Sequence, residues 1–308
     1  MKILFLGNSN FLTKRLRPTL DKYSKFQYII ASVNFLGNDK KILYNNYVKA
    51  LQNKKFDIVY ISLINKLHFK YAKKALEMGH HVIVDKPLSL SLIDSEILLN
   101  IAKKKKLLLA EAVLFNYHKA YYFIKKKTKN FKNVYKINAN FNIPFKRDIR
   151  LMKQKKLDCL SDMSSYASSL VRIFFNKDSM SEKKVFYEKF KSTKLIKKFQ
   201  MFLNFNKGKK FLHAYFSYDT EYESSIKFYC DKFNIEIPIQ AFALKGNKQY
   251  NIIKKENNIV TNNLFSDDNV LNFFNSIKKS LDSNNYKYFY DCIQDDIIIK
   301  KSLNLFNE

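Results

Sequence analysis

No stretch rich in proline or glycine interrupts this sequence, which has 4 prolines and 5 glycines in 308 residues and no tryptophan. A flexible inter-domain linker is thereby excluded, and any two domains are expected to pack tightly. Cysteine is scarce as well: Cys159, Cys230 and Cys292 are odd in number, far apart and without a CxxC pair. That pattern gives neither a zinc site nor a disulfide framework, so no metal is expected and a reduced, cytoplasmic setting fits. No apolar run is long enough to span a bilayer. The opening residues, MKILFLGNSN, lack the long apolar region and small-residue cleavage site of a secretory signal and read as a first strand. Acidic residues are outnumbered, 27 Asp and Glu against 56 Lys and Arg, for a net charge of +29. There is nevertheless no basic recognition helix and no aromatic–basic motif, so nucleic acid is not an expected partner. The excess of Lys, Asn, Ile, Phe and Tyr over Gly and Pro follows AT-rich codons, and Lys runs of this kind face water. A basic field still attracts anionic small molecules.

What is present is a hydrophobic fraction of 46%, enough for a sizeable core, in a chain long enough for two domains. The first third alternates between two periods. KILFLG, YIIASV, DIVYISL, VIV and KLLLAEAV are apolar strands, and between them lie helical stretches: Phe11 to Lys22, NNYVKALQNK, HFKYAKKALEMGH and SLIDSEILLNIAKKKK. Asn10 is placed to cap the first helix, and Gly79 sits where a C′ glycine ends the third. Strands apolar on both faces, alternating with helices, predict a doubly wound parallel sheet. After about residue 118 the pattern changes. VYKINANFNI alternates like an antiparallel strand, DMSSYASSLVRIFF is helical, strands dominate from about 195 to 255, and the tail from Asn269 is helical. The expected architecture is therefore an α/β Rossmann-like domain over residues 1–118, followed by an α+β domain with a mostly antiparallel sheet over residues 119–308.

The turn GNSNFL follows the first strand and opens a helix, the context of a dinucleotide fingerprint, in which backbone N–H groups receive a pyrophosphate. Gly7 is present, but Ser9 stands at the second glycine position and Leu12 at the third; Gly7, Ser9, Asn10 and Phe11 are the candidate cofactor residues. A plain strand-to-helix turn reads equally well from this segment alone. At the end of the second strand there is no carboxylate for a ribose; Ser32, with Asn34 and Lys40 nearby, suits a 2′-phosphate, which favours NADP over NAD. Lys86 emerges from the strand Val82-Ile83-Val84 at the carboxyl edge of the sheet, where ligands of open α/β folds bind. Pro87 biases it toward extended backbone. A Lys restrained there is a candidate proton or hydrogen-bond donor, against the plainer reading of a solvated surface turn.

The stretch DIVYISLINKLHFKYAKKALEMGHHVIVDKPLSLS, residues 57–91, resembles the signature of the Gfo/Idh/MocA oxidoreductases, the glucose–fructose oxidoreductase and inositol dehydrogenase family. AEAVLFNYH, Ala110 to His118, and SDMSSYASSLVRIFF, residues 161–175, resemble two further landmarks of that family. GNSNFLTKRLRPTL resembles the first turn of members that reduce nucleotide-linked keto sugars. The resemblance implies hydride transfer between NADP, or NAD, and a sugar, cyclitol or nucleotide-sugar carbon. It implies Lys86, Tyr166 and Asp162 as catalytic residues, and Asn65, His68, Glu111, Lys86 and Pro87 beside the cofactor. Asn65 is expected to cap a helix, and the helix N-terminus is expected to keep His68 neutral. His118 and Arg150 are expected substrate contacts, and a homodimer or tetramer is implied. Two departures stand out. Lys156-Leu157-Asp158-Cys159 occupies the place of a glycine cluster and narrows the space beside a nicotinamide, and Asn116 stands where an Arg is common. They motivate an alternative, a catalytically silent relative that binds a nucleotide or sugar as a sensor or scaffold.

Overall fold

The computed structural model describes residues 1–33, 39–53, 55–144, 158–176, 178–191, 194–218, 221–246 and 248–306. The chain divides into two compact units, Met1–Val113 with Val270–Ile298, and Leu114–Asn269 with Ile299–Glu308. In the first unit the strands are β1 (Lys2–Leu6), β2 (Gln27–Ala31), β3 (Ile42–Tyr44), β4 (Ile58–Ile61), β5 (Val82–Asp85) and β6 (Leu109–Ala112). All pair in parallel, in the order β3-β2-β1-β4-β5-β6. The order reverses direction between β1 and β4, which is the topological switch point of a doubly wound sheet. β4 is buried at every position, as its uninterrupted apolar run requires of a strand covered on both faces.

Helix α1 follows β1; it is π-helical over Leu12–Leu16 and α-helical over Arg17–Leu20. Pro18 lies within it and has no N–H to donate into the preceding turn. Helices α2 (Tyr47–Gln52), α3 (His68–Glu77) and α4 (Leu92–Lys105) complete the crossovers. Ala72, Ala75 and Leu76 of α3 and Leu98, Leu99 and Ala102 of α4 enter one apolar core with the strand side chains. α3 ends as its sequence predicts: Gly79 adopts φ +82°, its amide reaches Leu76 O, and the His80 amide reaches Ala75 O, the paired bonds of a Schellman motif.

The second unit holds α5 (Lys119–Lys127), β7 (Val134–Asn142), α6 (Cys159–Phe175), β8 (Met180–Lys189), β9 (Ile196–Phe205), β10 (Lys210–Ser217), β11 (Glu223–Cys230), β12 (Phe233–Ile237), β13 (Gln249–Glu256) and β14 (Ile259–Ser266). The eight strands run in the order β14-β13-β12-β11-β7-β10-β9-β8. Every neighbouring pair is antiparallel except β7 and β10. β7, expected as antiparallel, is so toward β11 and parallel toward β10. Helix α6 covers the sheet through an aromatic core: Phe174 meets Phe131 and Phe228 edge-on, and Phe175 stacks on Phe205 with centroids 4.3 Å apart.

The tail forms α7 (Asn269–Asp282) and α8 (Lys287–Leu303), and this departs from the expected division. Residues 270–298 return to the first unit, and the boundary between the units falls after Val113. Phe274 of α7 packs against Phe26 and Tyr60. Tyr290 of α8 donates its hydroxyl to the carbonyls of Leu107 and Ala102 at 2.6 and 3.2 Å. Cys159, Cys230 and Cys292 are thiols outside any disulfide. Among the described residues no helix is long and apolar enough to cross a membrane.

Candidate active site

In the first unit, the carboxyl ends of β1, β4 and β5 lie side by side, and Gly7, Ser62 and Asp85 continue the registers Leu6↔Ile61 and Ile61↔Val84 by one residue. Gly7 has φ +101°, and a Cβ on it would lie 2.2 Å from Ser62 O. Only glycine fits this turn, because the backbone of β4 occupies the place of a side chain. Its amide donates to Ala31 O. Two residues on, Ser9 Oγ accepts the Leu12 amide at 3.0 Å, and the Thr13 amide bonds Ser9 O. Ser9, not Asn10, is therefore the cap of α1. The amides of Asn10 and Phe11 precede the first intrahelical bond and have no carbonyl within the helix to receive them.

Asp85 is half-buried at the ligand edge. Its Oδ1 accepts the Tyr60 hydroxyl at 2.6 Å and its Oδ2 the Ser62 hydroxyl at 2.8 Å. Burial raises its pKa, opposed by the Tyr60 hydrogen bond, the His68 and Lys86 charges and the Ser62 hydrogen bond. Burial also raises the Tyr60 phenol well above its ordinary value, with Asp85 adding to the effect. Lys86, half-exposed, follows directly, joined to Pro87 by a cis peptide. The next residues are fixed from two sides. Pro87 O lies 2.7 Å from His68 Nδ1, and the Leu88 amide donates to Glu111 Oε1 at 3.0 Å. Glu111 thus buttresses the turn after Lys86. His68 Nε2 lies 3.0 Å from Leu63 O, so both ring nitrogens face carbonyl oxygens.

Asn65 is not a helix cap. It opens a 3₁₀ turn, Asn65–Leu67, ahead of α3, and neither element begins with a side-chain cap. Its Nδ2 is buried with no acceptor among the described residues, a donor that a ligand at this edge would satisfy. The glycine-only turn, the helix-start amides and this unmatched donor fit a dinucleotide along the edge. Ser32 is half-buried at the end of β2, with its amide on Tyr44 O; Asn34 lies outside the described residues. Arg17, one of three basic residues of the first helix, is committed elsewhere. It pairs with Asp39 and donates to Tyr28 Oη at 3.1 Å, toward the amino ends of β2 and β3.

In the second unit, Asp162 and Tyr166 share a face of α6, as their spacing predicts. Tyr166 is half-buried among Phe115, Phe141 and Phe242, with centroids 5.2 to 6.2 Å away. Asp162 is 6% exposed, and its Oδ2 accepts the hydroxyl of Tyr218, just past β10, at 2.9 Å. Burial and Asp162 together hold the Tyr218 phenol well above its ordinary pKa. Asp158 does not crowd a ligand site. It is the N-cap of α6, one oxygen taking the Ser161 amide at 2.8 Å and the other the Ile196 amide at 2.9 Å. Lys156, Leu157 and Arg150 lie outside the described residues. His118, expected to touch substrate, is 1% exposed and caps α5 by accepting the Ala120 amide on Nδ1; its place is structural. Asn116 lies in the 3₁₀ turn Phe115–Tyr117. Among the described residues no cluster of His, Cys, Asp and Glu could hold a metal ion. Sequence reasoning missed Tyr60, Ser62 and Tyr218. Ser62 and Asp85 follow apolar runs of adjacent strands, a signal that becomes readable once the parallel register is known.

Residues 2–113 match the sequence profile of an oxidoreductase family with an NAD-binding Rossmann fold. The chain is 31% identical over 136 residues to a dTDP-3,4-didehydro-2,6-dideoxy-alpha-D-glucose 3-reductase of Streptomyces violaceoruber, covering 43% of this chain and 40% of that protein. Over 136 residues it is 27% identical to a D-xylose 1-dehydrogenase (NADP(+)) of Haloferax volcanii, covering 42% of each. Among solved structures, a 3-ketoreductase from Actinomadura kijaniata in complex with TDP-benzene and NADP aligns with TM-score 0.85 at 16% identity, over 99% of this chain and 96% of that one. At that identity the likeness establishes the fold. Residues 2–113 thus match the oxidoreductase family with an NAD-binding Rossmann fold, the Gfo/Idh/MocA family that the sequence resembles.

Proposed function

We propose that this protein is an NADP-dependent oxidoreductase acting on a keto or hydroxyl carbon of a sugar carried on a nucleotide. The observation that carries the reading is Lys86 at the carboxyl edge of β5, the neighbour of switch-point strand β4, on backbone held by Asp85, His68 and Glu111. Support for the substrate class comes from the Streptomyces relative, a reductase of a dTDP-linked keto sugar, and from the Actinomadura ketoreductase, solved with TDP-benzene and NADP. That enzyme was also solved with a lysine changed to alanine and with a tyrosine changed to phenylalanine. NADP is favoured further by the lack of a carboxylate at the end of β2.

Bound nicotinamide supplies the hydride chemistry. Gly7, Ser9 and the amides of Asn10 and Phe11 would receive the pyrophosphate, and the Asn65 amide would be available to the ribose or nicotinamide. The Lys86 ammonium donates a hydrogen bond to the reacting oxygen and favours its alkoxide form. In the second unit Tyr166, its ring orientation set by the three phenylalanines, carries a phenol suited to donating a proton. Asp162, held by Tyr218, binds a sugar hydroxyl. A cytoplasmic homo-oligomer is the setting we infer for the enzyme.

The test is NADPH oxidation with a panel of nucleoside-diphosphate keto sugars. Lys86→Met is expected to lower turnover by about 10²- to 10⁴-fold, the range of a lost proton-transfer or alkoxide partner, with NADPH affinity nearly unchanged. Near-normal turnover would remove Lys86 from the mechanism. Tight NADPH binding with no turnover on any keto sugar would favour the sensor alternative.

A further inference from the structure

We propose that Ser9 and Ser62 are positioning residues: through one continuous hydrogen-bond relay they tie the nucleotide-facing turn after β1 to Asp85, and so to the backbone that carries Lys86. What the two ends do rests on the oxidoreductase reading; the relay itself concerns this chain's own atoms.

Chemistry sets the direction of every bond. An ionised carboxylate only accepts, and Asp85 takes Tyr60 on one oxygen and Ser62 on the other. Ser62 has a single hydroxyl proton. Once that proton faces Asp85 Oδ2, only lone pairs remain toward Ser9 Oγ, 2.7 Å away. Ser9 is therefore the donor of that bond. Its oxygen in turn accepts the Leu12 amide at 3.0 Å. The chain runs from Leu12 N–H through Ser9 and Ser62 to Asp85, with each donor used once.

This changes the meaning of Ser9. In a dinucleotide fingerprint the second position is glycine so that backbone can approach the pyrophosphate. A glycine has no hydroxyl, and this relay needs one. Capping alone does not explain the residue either, since a cap requires only an acceptor for the Leu12 amide. The bond to Ser62 is additional, and it crosses from the β1 turn to the end of β4. Ser62 is 1% exposed, so water does not substitute readily for a lost partner. The relay lies over the row Gly7–Ser62–Asp85, where the Ser62 amide also bonds Leu6 O. Hydrogen bonds in such a chain polarise one another, so an end responds to a change at the other end. Lys86 follows Asp85 directly in the chain. A carboxylate anchored to the nucleotide turn thus sets where the Lys86 backbone leaves the sheet.

The experiment compares wild type with Ser9→Ala, Ser62→Ala and Asp85→Asn. Asparagine places an N–H₂ where one Asp85 oxygen was, which reverses the polarity of the Ser62 and Ser9 hydroxyls. The first measurement is amide hydrogen exchange at Leu12 without cofactor, with the Ile30 amide in β2 as the reference for global opening. The relay predicts exchange at Leu12 faster by about 5-fold in all three variants, with Ile30 unchanged, and wild-type exchange restored in Ser9→Thr. Faster exchange in Ser9→Ala alone would reduce Ser9 to a local cap and overturn the proposal. Should Asp85→Asn fail to fold, Ser62→Ala carries the same decision. The second measurement is NADPH affinity. It is expected to weaken several-fold in each variant, with Ser9→Ala plus Asp85→Asn no worse than the poorer single change. Multiplicative losses would show two independent sites and overturn the coupling. Wild type that binds no NADPH, with Leu12 responding to all three changes, would leave the relay standing and remove the oxidoreductase reading.

Discussion

A carboxylate partly withdrawn from water at the end of a central strand is costly unless hydrogen bonds replace the lost water, and half-buried Asp85 accepts two. They do not fully compensate, because burial still raises its pKa above the ordinary 3.8. The sign of the consequence is definite. Below about pH 3.8 the carboxyl is protonated in folded and unfolded chains alike. As pH rises, the unfolded chain ionises first, so the contribution to stability present at low pH is lost up to the folded-state value. Asp85→Asn removes this dependence. Urea midpoints at about pH 3.5, 5 and 7 are therefore expected to show wild type losing stability relative to Asp85→Asn as pH rises; parallel profiles would show that Asp85 does not titrate differently on folding. At this scale the sequence was legible where chain-local cues suffice. Gly7, Lys86 and the shared face of Asp162 and Tyr166 follow from turn context, strand ends and a spacing of four. Ser62, Tyr60 and Tyr218 were not, because each acquires its role from a partner 23 to 56 residues away. His118, a substrate contact by resemblance, misled because its burial makes it a cap.

Two glycines show how elements stop and start for different reasons. Both Gly79 and Gly7 have positive φ, yet a Cβ at Gly79 would meet nothing within 4 Å, while one at Gly7 would strike the backbone of Ser62. Gly79→Ala is thus a backbone penalty alone, expected at about 1 kcal/mol, with NADPH binding intact. Gly7→Ala must displace β4 or the turn itself, so it is expected to abolish NADPH binding as well as lower the melting temperature. Equal losses from the two changes, or NADPH binding intact in Gly7→Ala, would contradict the cradle geometry. The same contrast explains which elements could be read. α3 carries its apolar stripe and its C′ glycine in one segment, so it was predicted with its end. β8 lies at the sheet edge with no buried residue, and without a buried face there is no two-residue alternation to detect. β3 is three residues long, too short for any period. α5 buries Ala120, Tyr121 and Ile124, but its surrounding lysines dilute the pattern.

The division of the whole chain was misplaced because the helical tail reads alike whichever unit it joins. Leu271, Phe274, Ile277 and Leu281 signal an amphipathic helix, not the core it will cover, and only tertiary structure returns residues 270–298 to the first unit. The energetic weight of that return is large. Phe273, Phe274, Ile277, Ile293 and Ile297 are all at most 4% exposed, and at about 1.5–3 kcal/mol each their burial sums to roughly 10 kcal/mol. That is comparable with the entire stability of an ordinary domain, about 5–15 kcal/mol. Tyr290 further closes the carbonyls of Ala102 and Leu107 at the end of α4. A chain ending at residue 118, although it contains every strand of the parallel sheet and every first-unit residue of the candidate site, is therefore expected not to unfold cooperatively. Joining residues 270–298 to it through a flexible linker is expected to restore a single sharp transition. Circular dichroism melts of the two chains decide the matter. A cooperative melt for residues 1–118 alone would mean that the tail only decorates the sheet; its absence, with recovery on adding the tail, would make the nucleotide-binding unit a product of both ends of the sequence.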